Sequence, residues 1–171
     1  MELNTMARPL IMMTMVTNEY PFTRLYNYIK NDPLYLDNRC EWFVQTGACE
    51  ANVAPANGVV ETLIPRSDME DLVRRSALVI SHCGIGSLNL MLKYRKRVIF
   101  VPRVEVHKEF SDDHQLQIAA EIKNSRMQVI YPQDTFPALS YDQLLIDNVL
   151  SEPVDITNYD LARIINLKLT G

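Results

Sequence analysis

The segment Ser81–Ser87 (SHCGIGS) has the residue types and spacing best suited to chemistry on an anionic ligand. It lies between an apolar run typical of a buried strand, Ala77–Ser81, and a helix-like segment, Leu88–Tyr94. Its two glycines permit a tight turn and a close approach of the backbone to a ligand. The following helix would present free N–H groups and the positive end of its dipole, which suits a phosphate. Ser87 adds a hydroxyl, and His82 can donate a hydrogen bond or a charge.

The same segment has a structural alternative, a glycine-rich strand-to-helix turn capped by a serine. Short glycine motifs are common, so the segment alone leaves both interpretations open. It is not the dinucleotide fingerprint, because the third glycine and the downstream acidic ribose ligand are not in place. It is not a Walker loop, because the lysine is missing.

A second polar cluster follows the next apolar run, with Arg103 at its start and Glu109–Gln115 (EFSDDHQ) entering a helix. Carboxylate, imidazole and carboxamide groups can bind several sugar hydroxyls, because together they offer donors and acceptors. The two aspartates, including Asp113, suit a helix N-terminus equally well as caps and dipole partners. His114 and Gln115 have less structural reason to stand there, which favours a binding role.

Other chemistries find little support in the spacing. The three histidines, His82, His107 and His114, lack zinc-ligand spacing, and we expect neither a metal nor a cofactor. There is no Gly-x-Ser-x-Gly elbow. Cys83 has no evident base to activate it, so a small buried thiol is the better interpretation.

Composition limits the class of protein. With 171 residues the chain is expected to be a single domain, residues 1–171. A net charge of −4 and a pI near 5.4 argue against a nucleic-acid-binding protein. The three cysteines follow no metal or disulfide pattern, which favours the cytoplasm. No apolar run reaches the roughly 18–20 residues of a membrane span, and the N-terminus does not resemble a signal peptide. Any membrane association is therefore expected to come through a partner or a surface patch.

Short apolar runs alternate with helix-like segments along the chain. This order predicts an α/β fold: a Rossmann-like, open, mostly parallel sheet with helices on both faces. Ligands of such sheets bind beyond the carboxyl ends of the strands, here at the loops Thr17–Tyr20, Thr46–Cys49 and His82–Ser87. The predicted strands are Leu10–Val16, Trp42–Gln45, Val59–Ile64, Ala77–Ser81, Val98–Val101 and Met127–Tyr131. The predicted helices are Phe22–Ile29, Met69–Arg75 (capped by Ser67-Asp68), Leu88–Tyr94, Asp112–Lys123, Tyr141–Leu150 and Asn158–Leu169.

Several motifs occur in a characteristic order over about a hundred residues, which is more specific than any one of them. They are Met13–Thr17 with Pro21–Leu25, Gln45–Gly47, Ile80–Ser87, Val98–Arg103, and Glu109 with Asp113–Gln115. On these motifs the sequence resembles the C-terminal-domain family of glycosyltransferase family 28. Within that family it is most similar to the small soluble subunits of two-component bacterial exopolysaccharide and capsule glycosyltransferases. Those subunits are similar to the catalytic subunit of the eukaryotic dolichol-linked UDP-N-acetylglucosamine transferase.

The resemblance implies the C-terminal half of a GT-B glycosyltransferase, which holds a UDP-sugar. The acceptor-binding half would be a separate, membrane-anchored protein, so the chain would lie at the inner face of the cell membrane through that partner. The reaction would be an inverting, metal-independent transfer to a lipid-diphosphate-linked acceptor. The general base would come from the partner, with His114 as the candidate within this chain. The donor-binding residues that the resemblance implies are Thr17, Asn18, His82, Gly84, Ile85, Gly86, Ser87, Arg103, Glu109, Asp113, His114 and Gln115.

The sequence departs from the family pattern at four places. Val16 replaces a glycine in the first loop, and Leu90 stands where many relatives carry a glutamate that holds the ribose. A Gly-Lys-Pro turn becomes Arg95–Arg97, and Lys108 replaces the glycine before Glu109. These changes keep a rival open: a non-catalytic enhancer subunit that stabilises or activates its partner. A nucleotide-binding domain of unrelated activity is a third, weaker alternative.

Overall fold

The computed structural model describes residues 7–15, 18–122 and 127–149. The predicted donor contact Thr17, the replaced residue Val16 and the predicted helix Asn158–Leu169 lie outside these residues.

A parallel sheet forms the centre of the protein. In the part of the chain that is described, its strands are β1 (Leu10–Thr14), β2 (Glu41–Gln45), β3 (Gly58–Glu61), β4 (Leu78–His82), β5 (Val98–Val101) and β6 (Met127–Val129). Their spatial order is β3-β2-β1-β4-β5-β6, and every neighbouring pair is parallel. The Rossmann-like fold expected from the sequence is confirmed.

Helices connect the strands. They are α1 (Thr23–Ile29), α2 (Pro33–Leu36), α3 (Arg66–Arg75), α4 (Ile85–Lys93), α5 (His114–Glu121) and α6 (Tyr141–Val149), with a 3₁₀ turn at Glu105–His107. The sequence analysis missed α2, which begins at Asp32-Pro33: the Asp32 carboxylate accepts from the Leu34 amide and Pro33 occupies the first turn.

Both faces of the central strands β1, β4 and β5 are buried, which explains their nearly continuous apolar runs. Along β1, Ile11 and Met13 join the core on the side of α1, while Met12 joins the core on the side of α4 and α5. All three side chains are fully buried. This alternation of sides is the two-residue period of a β-strand, and each residue packs against the apolar core on its own side of the sheet.

The strand order reverses direction between β1 and β4. Strands β2 and β3 follow outward on one side of this pair, and β5 and β6 follow on the other. The ends of β1 and β4 pair at Thr14 and Ser81, so the loops after both strands meet at one edge. Such a reversal leaves a crevice at the carboxyl edge, the usual ligand position in open α/β sheets.

Several predicted helix starts were wrong. Helix α4 begins at Ile85 rather than Leu88, and α5 begins at His114 rather than Asp112. Helix α3 begins at Arg66 with Pro65 at its N-cap, so Ser67-Asp68 do not cap it. The shift at α4 matters most, because it places Gly86 and Ser87 inside the first helical turn.

Candidate functional site

The loop between β4 and α4 uses its two glycines in different ways. Gly84 is the N-cap of α4 and has a φ of −89°, which any residue adopts. A Cβ at Gly84 would lie 2.5 Å from Cε1 of His82, so the absent side chain makes room for the imidazole. A Cβ at Gly86 would meet nothing within 4 Å. Neither glycine is therefore required for the tight turn that the sequence predicted. Gly84 makes room for the His82 ring, and Gly86 leaves the first turn of α4 open.

Ser87 and Gln115 hold the His82 ring from both sides. The Ser87 hydroxyl lies 3.1 Å from Nε2 of His82, and the Gln115 amide nitrogen lies 3.4 Å from Nδ1. The Gln115 side-chain oxygen accepts from the backbone amides of Cys83 and Arg103, both at 3.1 Å. Because this fixes the amide orientation, its nitrogen faces Nδ1, which must then be the acceptor. Nε2–H therefore donates to Ser87, whose own hydroxyl hydrogen is left to donate to a ligand.

The imidazole of His82 is neutral. Burial, and then the positive charge of Arg103 nearby, lower its pKa to about 3. The sequence left open whether His82 supplies a hydrogen bond or a charge. In this structure its Nε2–H donates to Ser87, and a contact of His82 with a ligand stays a prediction.

A cleft of 580 Å³ lies beside this loop. The carboxyl ends of three strands form its floor through Thr14, Gln45 and His82, and Gly86 and Ser87 line it from α4. Gln45 is 1% exposed, and its side-chain oxygen accepts from the Thr14 hydroxyl at 2.7 Å. The cleft therefore lies at the crevice expected from the reversal of strand order.

The facing wall of the large cleft carries charged groups that the sequence analysis missed. Glu70 of α3 accepts hydrogen bonds from the ammonium of Lys93 at 2.8 Å and from the hydroxyl of Tyr94 at 2.6 Å. These two bonds lower the pKa of Glu70 to about 2. Arg66 also lines this wall, and Leu90 lines the cleft from α4. Glu70 and Arg66 lie one turn apart on α3, but Asp71 and Arg75 have the same spacing on that helix and form an exposed pair, so the spacing indicates an ion pair and not a place in the cleft.

Glu109, one of the predicted sugar contacts, is buried in an ion pair. Nε and Nη2 of Arg24 donate to its two oxygens, each at 2.8 Å. The backbone amide of Val104 donates to one of those oxygens at 3.0 Å, and the Glu109 side chain is 3% exposed. Arg24 also donates to the carbonyl of Pro102 at 2.7 Å. These bonds tie α1 to the loop that follows β5.

Arg103 is a buried cation in the same loop. Its Nη1 donates to the side-chain oxygen of Asn18 at 3.1 Å and to the carbonyl of Glu109 at 2.9 Å. Its guanidinium lies 4.1 Å from the centre of the Phe110 ring, and its Nε is buried without a hydrogen-bond partner. Burial lowers the pKa of Arg103 to about 10, so the group still carries its charge. Two predicted donor contacts, Asn18 and Arg103, are thus in direct contact.

The remaining predicted contacts mostly organise the loop. Asp113 accepts from the backbone amide of Glu105 at 2.8 Å. The His114 ring bonds to the Asp112 carboxylate and packs edge-on against Phe110, and it does not line the 580 Å³ cleft. Ile85 packs against the core below α4. Contacts of Gln115 and His114 with a sugar stay predictions.

The three cysteines are buried and free. Burial raises the pKa of the Cys83 thiol to about 12, which keeps it protonated. Within the described ranges, no three histidine, cysteine or acidic side chains gather closely enough to hold a metal ion.

Among the residues that the structure describes, none of the helices has the length and apolar character needed to cross a bilayer.

Comparison with solved structures shows the fold. The calicheamicin glycosyltransferase CalG4 superposes with a TM-score of 0.55 at 11% identity, covering 95% of this chain and 38% of that one. MurG from Acinetobacter baumannii superposes with a TM-score of 0.52 at 17% identity, covering 97% and 47%. The chain thus spans less than half of either glycosyltransferase. The sequence matches no curated protein at a significant level.

The sequence itself shows the family. The glycosyltransferase family 28 C-terminal domain matches residues 25–152, which include both polar loops and, except for Thr14 and Met15, the residues that line the large cleft. The superposed structures are those of GT-B glycosyltransferases, whose C-terminal domains have this open parallel sheet. The chain therefore belongs to the glycosyltransferase family 28 C-terminal domain family.

Proposed function

We propose that the chain is the donor-binding and catalytic subunit of a two-subunit, inverting glycosyltransferase. It would transfer a sugar from a UDP-sugar to a lipid-diphosphate-linked acceptor in exopolysaccharide or capsule biosynthesis. The partner would be a membrane-anchored subunit that binds the acceptor and keeps this chain at the inner face of the membrane. Family membership and the cleft at the strand ends support the sugar-transfer part of this proposal.

The observation that carries the proposal is the open first turn of α4 beside the large cleft. Backbone N–H groups at a helix start have no partners within the helix and attract phosphate oxygens. A side chain at Gly86 would meet nothing within 4 Å, and Gly86 and Ser87 both line the cleft, where the Ser87 hydroxyl could donate to a ligand. Donors fixed before the ligand arrives stabilise charge that develops on a departing diphosphate. Departure of UDP is the step that these residues would assist.

Activation of the acceptor hydroxyl is assigned to the partner. The candidate base within this chain, His114, does not line the large cleft, although its bond from Nδ1 to Asp112 would leave Nε2 to act as a base. The described part of the chain walls the large cleft with α3, α4 and the strand ends. A second domain would close the cleft, exclude water and orient the acceptor hydroxyl.

UDP binding tests the donor site. Gly86→Val should keep the fold, because the added side chain enters open space. It should weaken UDP binding by about 1–3 kcal/mol, since it blocks approach to backbone donors. Calorimetry on wild type and variant, with melting curves as the control for folding, measures this. Equal UDP affinity in a folded variant would reject the assignment.

Transfer assays test the partner dependence. With a panel of UDP-sugars and a lipid-linked acceptor, the pure chain should show no sustained turnover, and adding the partner should restore it. Robust multiple turnover by the chain alone would contradict the two-subunit proposal.

A non-catalytic enhancer subunit is the second candidate, and Leu90 favours it. An apolar side chain lines the cleft where relatives are expected to hold the ribose with a carboxylate. The two candidates differ in one measurement, because an enhancer needs no affinity for UDP. If no UDP binding is detectable while the chain still activates its partner, the enhancer is correct.

A further inference from the structure

The α3 side of the large cleft carries a carboxylate to which the proposed transfer reaction assigns no role. Among the described residues that line the cleft, Glu70 is the only acid. Its side chain is 23% exposed, and its bonds to Lys93 and Tyr94 reach across to the end of α4. The carboxylate is therefore fixed between the two helices that wall the cleft.

Glu70 and the open start of α4 stand at opposite ends of one cleft wall. Gly86 and Ser87 line the cleft in the first turn of α4, and Lys93 lines it in the last. Six residues separate Ser87 from Lys93, which corresponds to about 9 Å of helix rise. A nucleoside diphosphate bound through its phosphates at the first turn could extend its nucleoside along α4 toward Glu70.

One oxygen of Glu70 keeps room for a ligand. Oε2 accepts both short bonds, from Lys93 at 2.8 Å and from Tyr94 at 2.6 Å. Oε1 makes a single long contact, 3.4 Å to Nε of Arg66, whose side chain is 91% exposed. A carboxylate has about four acceptor positions, so Oε1 can accept a further hydrogen bond. The bonds at Oε2 hold that acceptor in a fixed orientation.

The charge of Glu70 selects the kind of group that it can bind. Its pKa is lowered to about 2, so the carboxylate is ionised at neutral pH and can only accept hydrogen bonds. A phosphate placed beside it would be repelled, whereas a neutral hydroxyl would form a strong, charge-assisted bond. The ribose of a nucleotide offers two such hydroxyls on neighbouring carbons.

We propose that Glu70 accepts a hydrogen bond from the ribose hydroxyls of the nucleotide donor, so that the nucleoside end of the donor lies between α3 and the end of α4. The identity of the ligand rests on the proposed function. Leu90 lines the cleft between the two ends of α4 and offers no acceptor. Glu70 supplies from α3 the acceptor that Leu90 does not supply from α4.

The test compares UDP with 2′,3′-dideoxyuridine diphosphate, which lacks both ribose hydroxyls, by calorimetry on the full chain. Wild type should bind UDP about tenfold more tightly, the scale of one hydrogen bond to a charged group. In Glu70→Ala this ratio should fall below about twofold. Both probes carry the same diphosphate, so any effect of the lost charge on phosphate binding cancels in the ratio. Melting curves check that the variant is folded.

Asp71→Ala is the matched control. Asp71 is the next residue of α3, pairs with Arg74 and Arg75 at the surface and does not line the cleft. Its variant loses the same charge from the same helix and should keep the ratio near tenfold. A ratio that stays near tenfold in Glu70→Ala, or that falls equally in both variants, would overturn the proposal.

Lys93→Met separates a direct contact from an effect through Lys93. Removing the ammonium leaves the Glu70 charge uncompensated, so both nucleotides should bind more weakly. Their ratio should stay near tenfold, because the Tyr94 hydroxyl still orients the carboxylate. If the ratio collapses in Lys93→Met as it does in Glu70→Ala, Glu70 acts only by holding Lys93, and the proposal is wrong.

Two other outcomes are distinct. If Glu70→Ala leaves the nucleotide ratio unchanged but weakens UDP-glucose more than UDP, the carboxylate binds the transferred sugar, and the ribose assignment is wrong. If UDP binding depends on Gly86 while the ratio does not depend on Glu70, the donor site stands and this inference alone fails. No detectable binding of UDP to wild type would overturn both.

Discussion

The loops after β4 and β5 look alike in sequence, since each brings histidine, hydroxyl or amide side chains to the start of a helix, yet the structure uses them differently. The β4 loop leaves open space beside Gly86, and Ser87 lines the large cleft. In the β5 loop, Glu109 and Gln115 are buried and bonded to the protein. The β4 loop leaves the start of α4 open, while the buried Glu109 and Gln115 of the β5 loop accept hydrogen bonds that hold the edge of the sheet together.

The Gln115 side chain connects the two loops. Its oxygen accepts from one backbone amide in each loop, and its nitrogen faces His82. The buried β5 loop therefore has a role in the site even where it touches no ligand. It fixes the position and the tautomer of His82 in the β4 loop.

Removing Glu109 should give the largest effect on stability. Glu109→Ala leaves the largely buried Arg24 and the amide of Val104 without their acceptor. Breaking one side of a buried pair costs about 3 kcal/mol or more in the free energy of unfolding. Urea denaturation measures this cost, with Asp71→Ala as the control, because Asp71 forms an exposed pair with Arg74 and Arg75.

The Asp71 control should change stability by less than about 1 kcal/mol. A Glu109 variant as stable as the Asp71 variant would show that the β5 loop is not held in the way described. The comparison of the two loops would then lose its basis.

The sequence predicted the sheet well, because its signal is local. The apolar runs of β1, β4 and β5 are buried on both faces, as Met12 and Met13 of β1 illustrate, and no distant contact is needed to recognise them. Helix starts were less predictable. Gly84 and Gly86 favour a loop by propensity, yet α4 already includes Gly86, since tertiary contacts offset the low helix propensity of glycine.

The orientation of the polar side chains could not be predicted. Arg24 and Glu109 are 85 positions apart, and nothing local to either residue indicates their pairing. A glutamate directed at a sugar and one buried against an arginine have the same sequence signature. Backbone conformation could not be predicted from residue type at two other positions. Lys108 and Arg95 stand where relatives are expected to have glycine, yet both keep a positive φ, at 56° and 51°.

Replacing Gln115 should give the next largest effect. Gln115→Ala removes the acceptor of two buried backbone amides, which costs about 2 kcal/mol of stability. Gln117→Ala, an exposed glutamine on the same helix, should be nearly neutral. If Gln115 positions the β4 loop, UDP and UDP-sugar affinities should fall together. If it binds the sugar directly, as the sequence predicted, only UDP-sugar affinity should fall, and calorimetry with both ligands decides.

Alanine at the two glycines should have opposite effects. In Gly84→Ala the new Cβ displaces the His82 ring and breaks its hydrogen bonds, which costs about 1 kcal/mol of stability. In Gly86→Ala the Cβ enters open space within a helix, which should stabilise the fold by about 0.5 kcal/mol. Thermal unfolding of both variants tests this. Two changes of the same sign would mean that the glycines do not differ as the geometry indicates.

The smallest expected effect is that of pH on donor binding. His82 has its pKa lowered to about 3, so the ring is neutral throughout the neutral range. A UDP-sugar has no phosphate that titrates near neutral pH, so its affinity should change by less than about twofold between pH 6 and pH 8, across the ordinary pKa of histidine near 6.5. Calorimetry at several pH values measures this. An affinity that rises severalfold toward pH 6 in wild type, and stays constant in His82→Gln, would show that the ring binds the ligand as a cation.

The free energy of unfolding, by contrast, should depend on pH, because the unfolded His82 ring takes up a proton near its ordinary pKa while the folded ring does so only near a pKa of about 3. Unfolding free energy should therefore fall as pH decreases below that ordinary value, and His82→Gln should remove this part of the slope. A flat affinity together with a His82-dependent slope in stability would establish that the β4 loop offers hydrogen bonds, rather than charge, to its ligand.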